Sequence, residues 1–93
     1  MNYECHITIP IDYAGPAFDD ACKVAGWSTS RIMGDPVLAP DKPFAYANRH
    51  ARVLTHLRHD MTTFADVLRG MGIPVLREKI EIIIYDTKTG EGL

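Results

Sequence analysis

The chain has 93 residues, of which 46% are apolar and 24% are charged, and these are the proportions of an ordinary globular domain. Its net charge of −2 gives no overall field that would draw it onto nucleic acid or an anionic membrane, which argues against both as partners. We therefore expect one domain, 1–93. The longest apolar run, 82–85, is far shorter than the ~20 residues of a membrane span. With two cysteines and no secretory signal, the predicted location is the cytoplasm.

The first segment, 2–11, alternates between apolar and polar residues, which predicts a strand with one buried face. Its apolar parity holds Tyr3, Cys5, Ile7 and Ile9. Its other parity holds Glu4, His6 and Thr8. An acid, an imidazole and a hydroxyl in one row make the exposed face of this strand the first candidate for a functional surface.

The middle of the chain predicts a helix, two strands and a long loop. Pro16 suits the first turn of a helix, an apolar stripe follows it, and Gly26 predicts its end. The β-branched, hydroxyl and aromatic residues of 27–33 predict a second strand. Three prolines and a Gly-Asp-Pro turn signal in 34–43 predict a loop. The alternating segment 44–50 predicts a third strand.

The second half holds the clearest helical pattern. Apolar residues recur at helical spacing from Leu54 to Met71, and the glycines and proline of 70–74 predict the helix end. The β-branched segment 75–86 predicts a fourth strand, and 87–93 predicts a flexible tail.

The order strand, helix, strand, strand, helix, strand predicts an α+β fold of the ferredoxin-like βαββαβ type. Two right-handed crossovers would place both helices on one face of a four-stranded antiparallel sheet. In that topology strands one and three are central, strand four lies beside strand one, and strand two forms the other edge. The helices should then cover the apolar parity of each strand, which on strand four is Leu76, Ile80, Ile82 and Ile84.

The uncovered face should carry two neighbouring polar rows, because cross-strand neighbours lie ~5 Å apart. We expect these rows to hold Glu4, His6 and Thr8 from strand one with Arg77, Lys79 and Glu81 from strand four. Strand three would add Tyr46, Asn48 and His50, or else Arg49, and strand two Ser28 and Ser30, or else Trp27, Thr29 and Arg31. One interpretation is a solvated face whose charges pair across strands. The other is a site for a small phosphate- or nucleotide-like anion.

In an anion site, Arg77 would offer a planar fork and Lys79 a point charge. His6 and Thr8 would donate hydrogen bonds, and Glu4 or Glu81 would orient His6 or Lys79. His6 is also the candidate catalytic residue of a weaker alternative, a phosphoester hydrolase with His6 as acid/base. His6-Ile7-Thr8 resembles one half of the paired His-x-Thr pattern of two-histidine phosphoesterases, and the chain lacks the second half. The sequence leaves open whether the protein is an enzyme.

Strand four is apolar on both faces near its end, because Ile83 and Tyr85 have open-face parity. An edge strand of this kind invites pairing with another chain. Ile83 and Tyr85 are therefore the predicted interface of a homodimer, unless loop 34–43 or the tail covers them. The corresponding alternative function is a protein–protein interaction module that uses the open face or the strand-four edge.

The remaining candidates favour structural roles. His56, His59 and Asp60 share faces of the second helix, but a third metal ligand is not evident, so neither a metal nor a cofactor is predicted. Trp27 is interpreted as a packing residue, and Cys5 and Cys22 as small buried hydrophobes, with a disulfide between them left open.

Overall fold

A computed structural model describes residues 2–83, 85–86 and 91–92, the last two pairs by their backbone alone. Its strands and helices are β1 (Asn2–Pro10), α1 (Pro16–Ala25), β2 (Ser28–Asp35), β3 (Ala39–Ala51), α2 (Leu54–Gly70), β4 (Arg77–Ile83), β5 (Tyr85–Asp86) and β6 (Glu91–Gly92). A single 3-10 turn, Ile11–Tyr13, joins β1 to the start of α1.

The main sheet has the strand order β2-β3-β1-β4 with antiparallel neighbours, so β1 and β3 are central as predicted. Side chains of both helices and the apolar parity of β1 belong to one buried cluster. Both helices therefore cover the same sheet face, and the protein has an α+β fold. β5 and β6 pair only with each other, in a separate two-stranded sheet.

The core forms between the covered face and the helices. Phe18 and Cys22 of α1 and Leu57 of α2 are completely buried within it. Trp27 stacks on Phe64 with ring centroids 5.0 Å apart, which confirms its packing role. Cys5 and Cys22 are free and buried, and burial raises the pKa of Cys5 to about 12 and that of Cys22 to about 11. Both thiols therefore stay protonated at neutral pH.

The ends of α1 follow the sequence signals. Pro16 is its first residue, where the missing N–H needs no partner. Gly26 adopts a φ of 82°, and its N–H donates to carbonyls of the last helical turn. A left-handed residue is accessible to glycine at low cost, so this position reverses the chain into β2.

The prediction of a loop over 34–43 is wrong, because these residues form the outer part of a β2–β3 hairpin. Asp35 pairs with Ala39 and Met33 pairs with Pro43. Only β2 pairs with β3 in this stretch, since β1 joins β3 from Phe44 onward. Prolines are tolerated where one side of a strand has no neighbour, so they do not exclude a strand here.

A bulge at Gly34 bends this hairpin. The register shifts between Met33 and Asp35, and Gly34 has a φ of 91°. A Cβ at this position would lie 2.2 Å from the carbonyl oxygen of Pro40, so the close approach of the two backbones requires glycine.

The predicted fourth strand, 75–86, is shorter in the structure, since β4 ends at Ile83 and Tyr85–Asp86 pair with β6. Of the predicted tail, 87–90 and 93 lie outside the described residues, as does Ile84. Flexibility of 87–93 stays a prediction. Across the part of the chain that is described, no helix is long and apolar enough to cross a membrane.

Candidate functional site

The open face of the sheet is the side opposite the helices. Across the seam between β1 and β4, Glu4 faces Glu81, His6 faces Lys79 and Thr8 faces Arg77. β3 contributes His50, Asn48 and Tyr46, which face the same three residues of β1 from the other side. β2 contributes Ser28 and Ser30. The structure therefore brings the six candidate residues together.

The sequence left open which residues of β2 and β3 lie on the open face, and this register decides between them. Arg49 and Arg31 have the other parity and lie on the helix side. Arg49 donates to the carbonyl of Ala25 at 3.0 Å, and Arg31 binds the Asp19 carboxylate of α1 at 2.9 Å. Neither guanidinium belongs to the open face.

His6 lies at the centre of a hydrogen-bonded row across the strands. Its Nδ1 lies 2.5 Å from Asn48 Oδ1, and its Nε2 lies 2.9 Å from Glu4 Oε1. The amide of Asn48 in turn donates to Ser30 Oγ at 3.1 Å. Both ring nitrogens of His6 therefore have partners within the open face. The ring also lies 5.0 Å from that of Tyr46.

The two seam glutamates each contact ionisable side chains. Glu4 Oε2 lies 2.9 Å from His50 Nε2, so this carboxylate joins two imidazoles. Glu81 lies 2.7 Å from Lys79 Nζ. That hydrogen bond is the main reason why the pKa of Glu81 is lowered. These contacts fix the orientation of His6 and Lys79, as the sequence analysis expected of Glu4 or Glu81.

Asp35, which the sequence analysis missed, lies at one end of the open face and is only 2% exposed. Its carboxylate accepts hydrogen bonds from the Tyr46 hydroxyl at 2.6 Å and from the backbone N–H groups of Val37 and Leu38. The Tyr46 hydrogen bond, followed by the two backbone bonds, lowers the Asp35 pKa to about 2. Burial, followed by the bond to Asp35, raises the Tyr46 pKa to about 12.

The sequence held one signal for this arrangement. Aspartate in a Gly-Asp-Pro turn commonly accepts hydrogen bonds from backbone groups two residues on, as Asp35 does from Val37. Nothing in the pattern indicated that the hairpin bends until Asp35 reaches Tyr46 and Arg77.

Arg77 forms a long ion pair with Asp35. Its NH1 lies 3.7 Å from Asp35 Oδ1, which exceeds the ~2.7–2.9 Å of a charge-assisted hydrogen bond. The side chains of Arg77 and Lys79 are 29% and 31% exposed, so both can reach a molecule lying on the open face. His6 is 15% exposed and Thr8 is 2% exposed, so they form the floor of this region.

A concave region with a volume of about 200 Å³ lies on the helix side. Its lining comprises Ala25, Trp27, Arg49, His59, Asp60, Thr63, Phe64 and Val67. It is smaller than the ~300–1,000 Å³ of most small-molecule sites. His59 and Asp60 meet here, but no group of three metal-binding side chains exists among the described residues.

The predicted dimer residues are placed only in part. Ile83 is half-buried opposite Asn2, and the side chain of Tyr85 lies outside the described residues. Ile82 and Leu76 were expected to pack against the helices. Ile82 has the expected parity in β4 but is 55% exposed, and Leu76, which precedes β4, is 43% exposed.

Comparisons of the chain with protein-family models, curated proteins and solved structures found no match. The function proposed below therefore depends on the geometry of the open face.

Proposed function

We propose that the open face binds a small anionic ligand, phosphate- or nucleotide-like, at the seam between β1 and β4. The observation that carries this proposal is the register of the seam, in which the pair of His6 and Lys79 adjoins the pair of Thr8 and Arg77. Arg77 and Lys79 would neutralise charge, and His6, held by Asn48 and Glu4, would form the floor beneath the ligand. The fold would be the ferredoxin-like variant of α+β, and the location the cytoplasm, where free thiols such as Cys5 persist.

Binding receives more support than catalysis. A general base needs a lone pair within reach of the proton that it removes. Both ring nitrogens of His6 already face acceptors, Asn48 Oδ1 and Glu4 Oε1. The geometry thus favours a positioning role for His6 in the floor of the site over a role as the acid/base of a phosphoester hydrolase.

The test is thermal unfolding of the full chain with inorganic phosphate and with nucleotides. A ligand at ten times its Kd stabilises the folded state by about 1.4 kcal/mol, which raises Tm by several degrees in a domain of this size. We expect Arg77→Ala to abolish this shift in Tm, since the substitution removes the guanidinium that would bind the anion. The matched control is Arg31→Ala, because Arg31 is similarly exposed but lies on the helix side with Asp19. The absence of a shift in the wild type, or its persistence in Arg77→Ala, would contradict the proposal.

A second candidate is a protein–protein interaction module, with a homodimer as its simplest form. The observation that favours it is the exposure of Ile82 and Leu76 on an edge strand. A bound chain at this edge would remove both side chains from water. This candidate predicts a solution mass above that of one chain.

A further inference from the structure

The two edges of the main sheet differ in how they resist pairing. β2 carries a bulge between Met33 and Asp35, and bulges at an edge discourage the addition of another strand. β4 runs beside β1 in unbroken register from Arg77 to Ile83. Among the described strands, β1 is the sole neighbour of β4 in the sheet. The outer side of β4 is therefore a regular template for a further strand.

Exposed apolar side chains mark the same edge. Ile82 is 55% exposed although its parity directs it to the side of the sheet that carries the helices, and Leu76, the residue before β4, is 43% exposed. They lie on either side of Lys79, three residues away in each direction. Arg77 and Glu81 also flank Lys79 symmetrically, two residues away, on the open face.

We propose that β4 pairs antiparallel with β4 of a second copy of this chain, about a twofold axis at Lys79. In such a pair, positions equally distant from Lys79 on opposite sides face each other. Leu76 then faces Ile82 of the second copy, and Arg77 faces its Glu81. Symmetry repeats both contacts, so each exposed apolar residue meets an apolar residue and each arginine meets a carboxylate.

Neighbouring registers lose this complementarity. An axis at Ile80 places Lys79 opposite Glu81 but Ile82 opposite Glu78. An axis at Glu78 places Arg77 opposite Lys79, and like charges directly opposite each other are destabilising. The axis at Lys79 sets the two lysines against each other, but each already has Glu81 of its own chain at 2.7 Å. The axis at Lys79 also places Glu78 opposite Ile80, but of the three registers it alone places Ile82 opposite Leu76 and Arg77 opposite Glu81.

The first experiment tests the register by cross-linking Lys79→Cys in the full chain under mild oxidation. Facing residues in antiparallel strands have Cα atoms about 4.5–5.5 Å apart, within the range of a disulfide. We expect most of the protein to run as a covalent dimer on a non-reducing gel. Cys5 and Cys22 are fully buried and should not contribute.

Arg77→Cys is the matched control, because Arg77 is on the same strand and similarly exposed but would not face its own copy. It should remain largely uncross-linked. Equal cross-linking of both variants, or none in Lys79→Cys, would overturn the register.

The second experiment measures solution mass by light scattering. The wild type should be a dimer, and Ile82→Lys should be a monomer with an unchanged circular dichroism spectrum. Met33→Lys is the control, because Met33 is 75% exposed on the other edge strand, and it should remain dimeric. Arg77→Glu should weaken the dimer, and the double variant Arg77→Glu/Glu81→Arg should restore it.

A monomeric wild type would overturn the pairing. That result leaves the proposed anion site intact, because the phosphate-dependent rise in Tm can be measured separately in the monomeric Ile82→Lys variant.

Discussion

Different interactions hold the side chains in place on the two faces of β1. Cys5, Ile7 and Ile9 are completely buried under the helices, and their contribution comes from the removal of apolar surface from water. On the other face, Glu4 and His6 remain partly exposed and are ordered by ion pairs and hydrogen bonds to their neighbours. The covered face thus determines stability with little dependence on pH, whereas the open face contains the groups whose interactions depend on ionisation.

The largest expected effect is that of Ile7→Ala, which empties a fully buried site beneath the helices. Loss of a buried isoleucine side chain to alanine costs about 2–5 kcal/mol of the free energy of unfolding. We expect a loss in this range in urea denaturation, with nearly equal values at pH 7 and pH 4. Val24→Ala is the control, since Val24 is 89% exposed, and it should cost less than ~0.5 kcal/mol. Similar losses of unfolding free energy in Ile7→Ala and Val24→Ala would contradict the conclusion that burial under the helices determines stability.

The next effect is that of Gly34→Ala, at the bend that brings Asp35 to the open face. The new Cβ would meet the backbone oxygen of Pro40 at 2.2 Å, and the φ of 91° is strained for alanine. A strained backbone position of this kind costs about 1–3 kcal/mol. Gly70→Ala is the control, because Gly70 closes a helix with nothing within 4 Å of its added Cβ, and it should be neutral or stabilising. Equal stability of both variants in urea denaturation would show that the hairpin can open at no cost.

The smallest effect concerns Asp35 and appears as a pH dependence. The folded-state pKa of Asp35, about 2, lies below the ordinary value of 3.8, so ionisation favours the folded state. This stabilisation is complete above about pH 4 and is lost as the pH falls toward 2. Asp35→Asn cannot ionise, so the difference in Tm between wild type and variant should shrink as the pH falls from 4 to 2.

A difference in Tm that stays constant over this interval would contradict the assignment of the low pKa to Asp35. Ile7→Ala, measured over the same interval, should show no corresponding narrowing.

Alternation in the sequence was sufficient to predict β1 and its two faces, and the order of the elements predicted its neighbours. The period of two assigns Glu4, His6 and Thr8 to one face as soon as the other face is covered. For β3 the choice between Tyr46 and Arg49 stayed open, because Ala45 and Ala47 are small enough to suit either face. Their burial under the helices is decided by tertiary packing.

The sequence pattern gave the wrong prediction for two features, the structure of 34–43 and the exposure of Ile82, and each error has an identifiable cause. The prolines of 34–43 indicated a loop, but Pro40 and Pro43 occur where β3 has only one neighbour, and there they are compatible with a strand. Ile82 was expected to be buried by its parity, but parity gives the direction of a side chain and not the extent of the helices above it. Its exposure of 55% follows from where α2 lies across the sheet.

The carboxylate that stands beside Arg77 has a consequence for selectivity. Any anion that approaches this guanidinium enters a field to which Asp35 already contributes a full negative charge, held by Tyr46 and two backbone amides. A monocarboxylate would gain little by competing with a carboxylate that is built in. In the proposed anion site, a phosphoryl group would offer more oxygens to the same guanidinium than a carboxylate does, and these contacts would have to outweigh its stronger repulsion by Asp35.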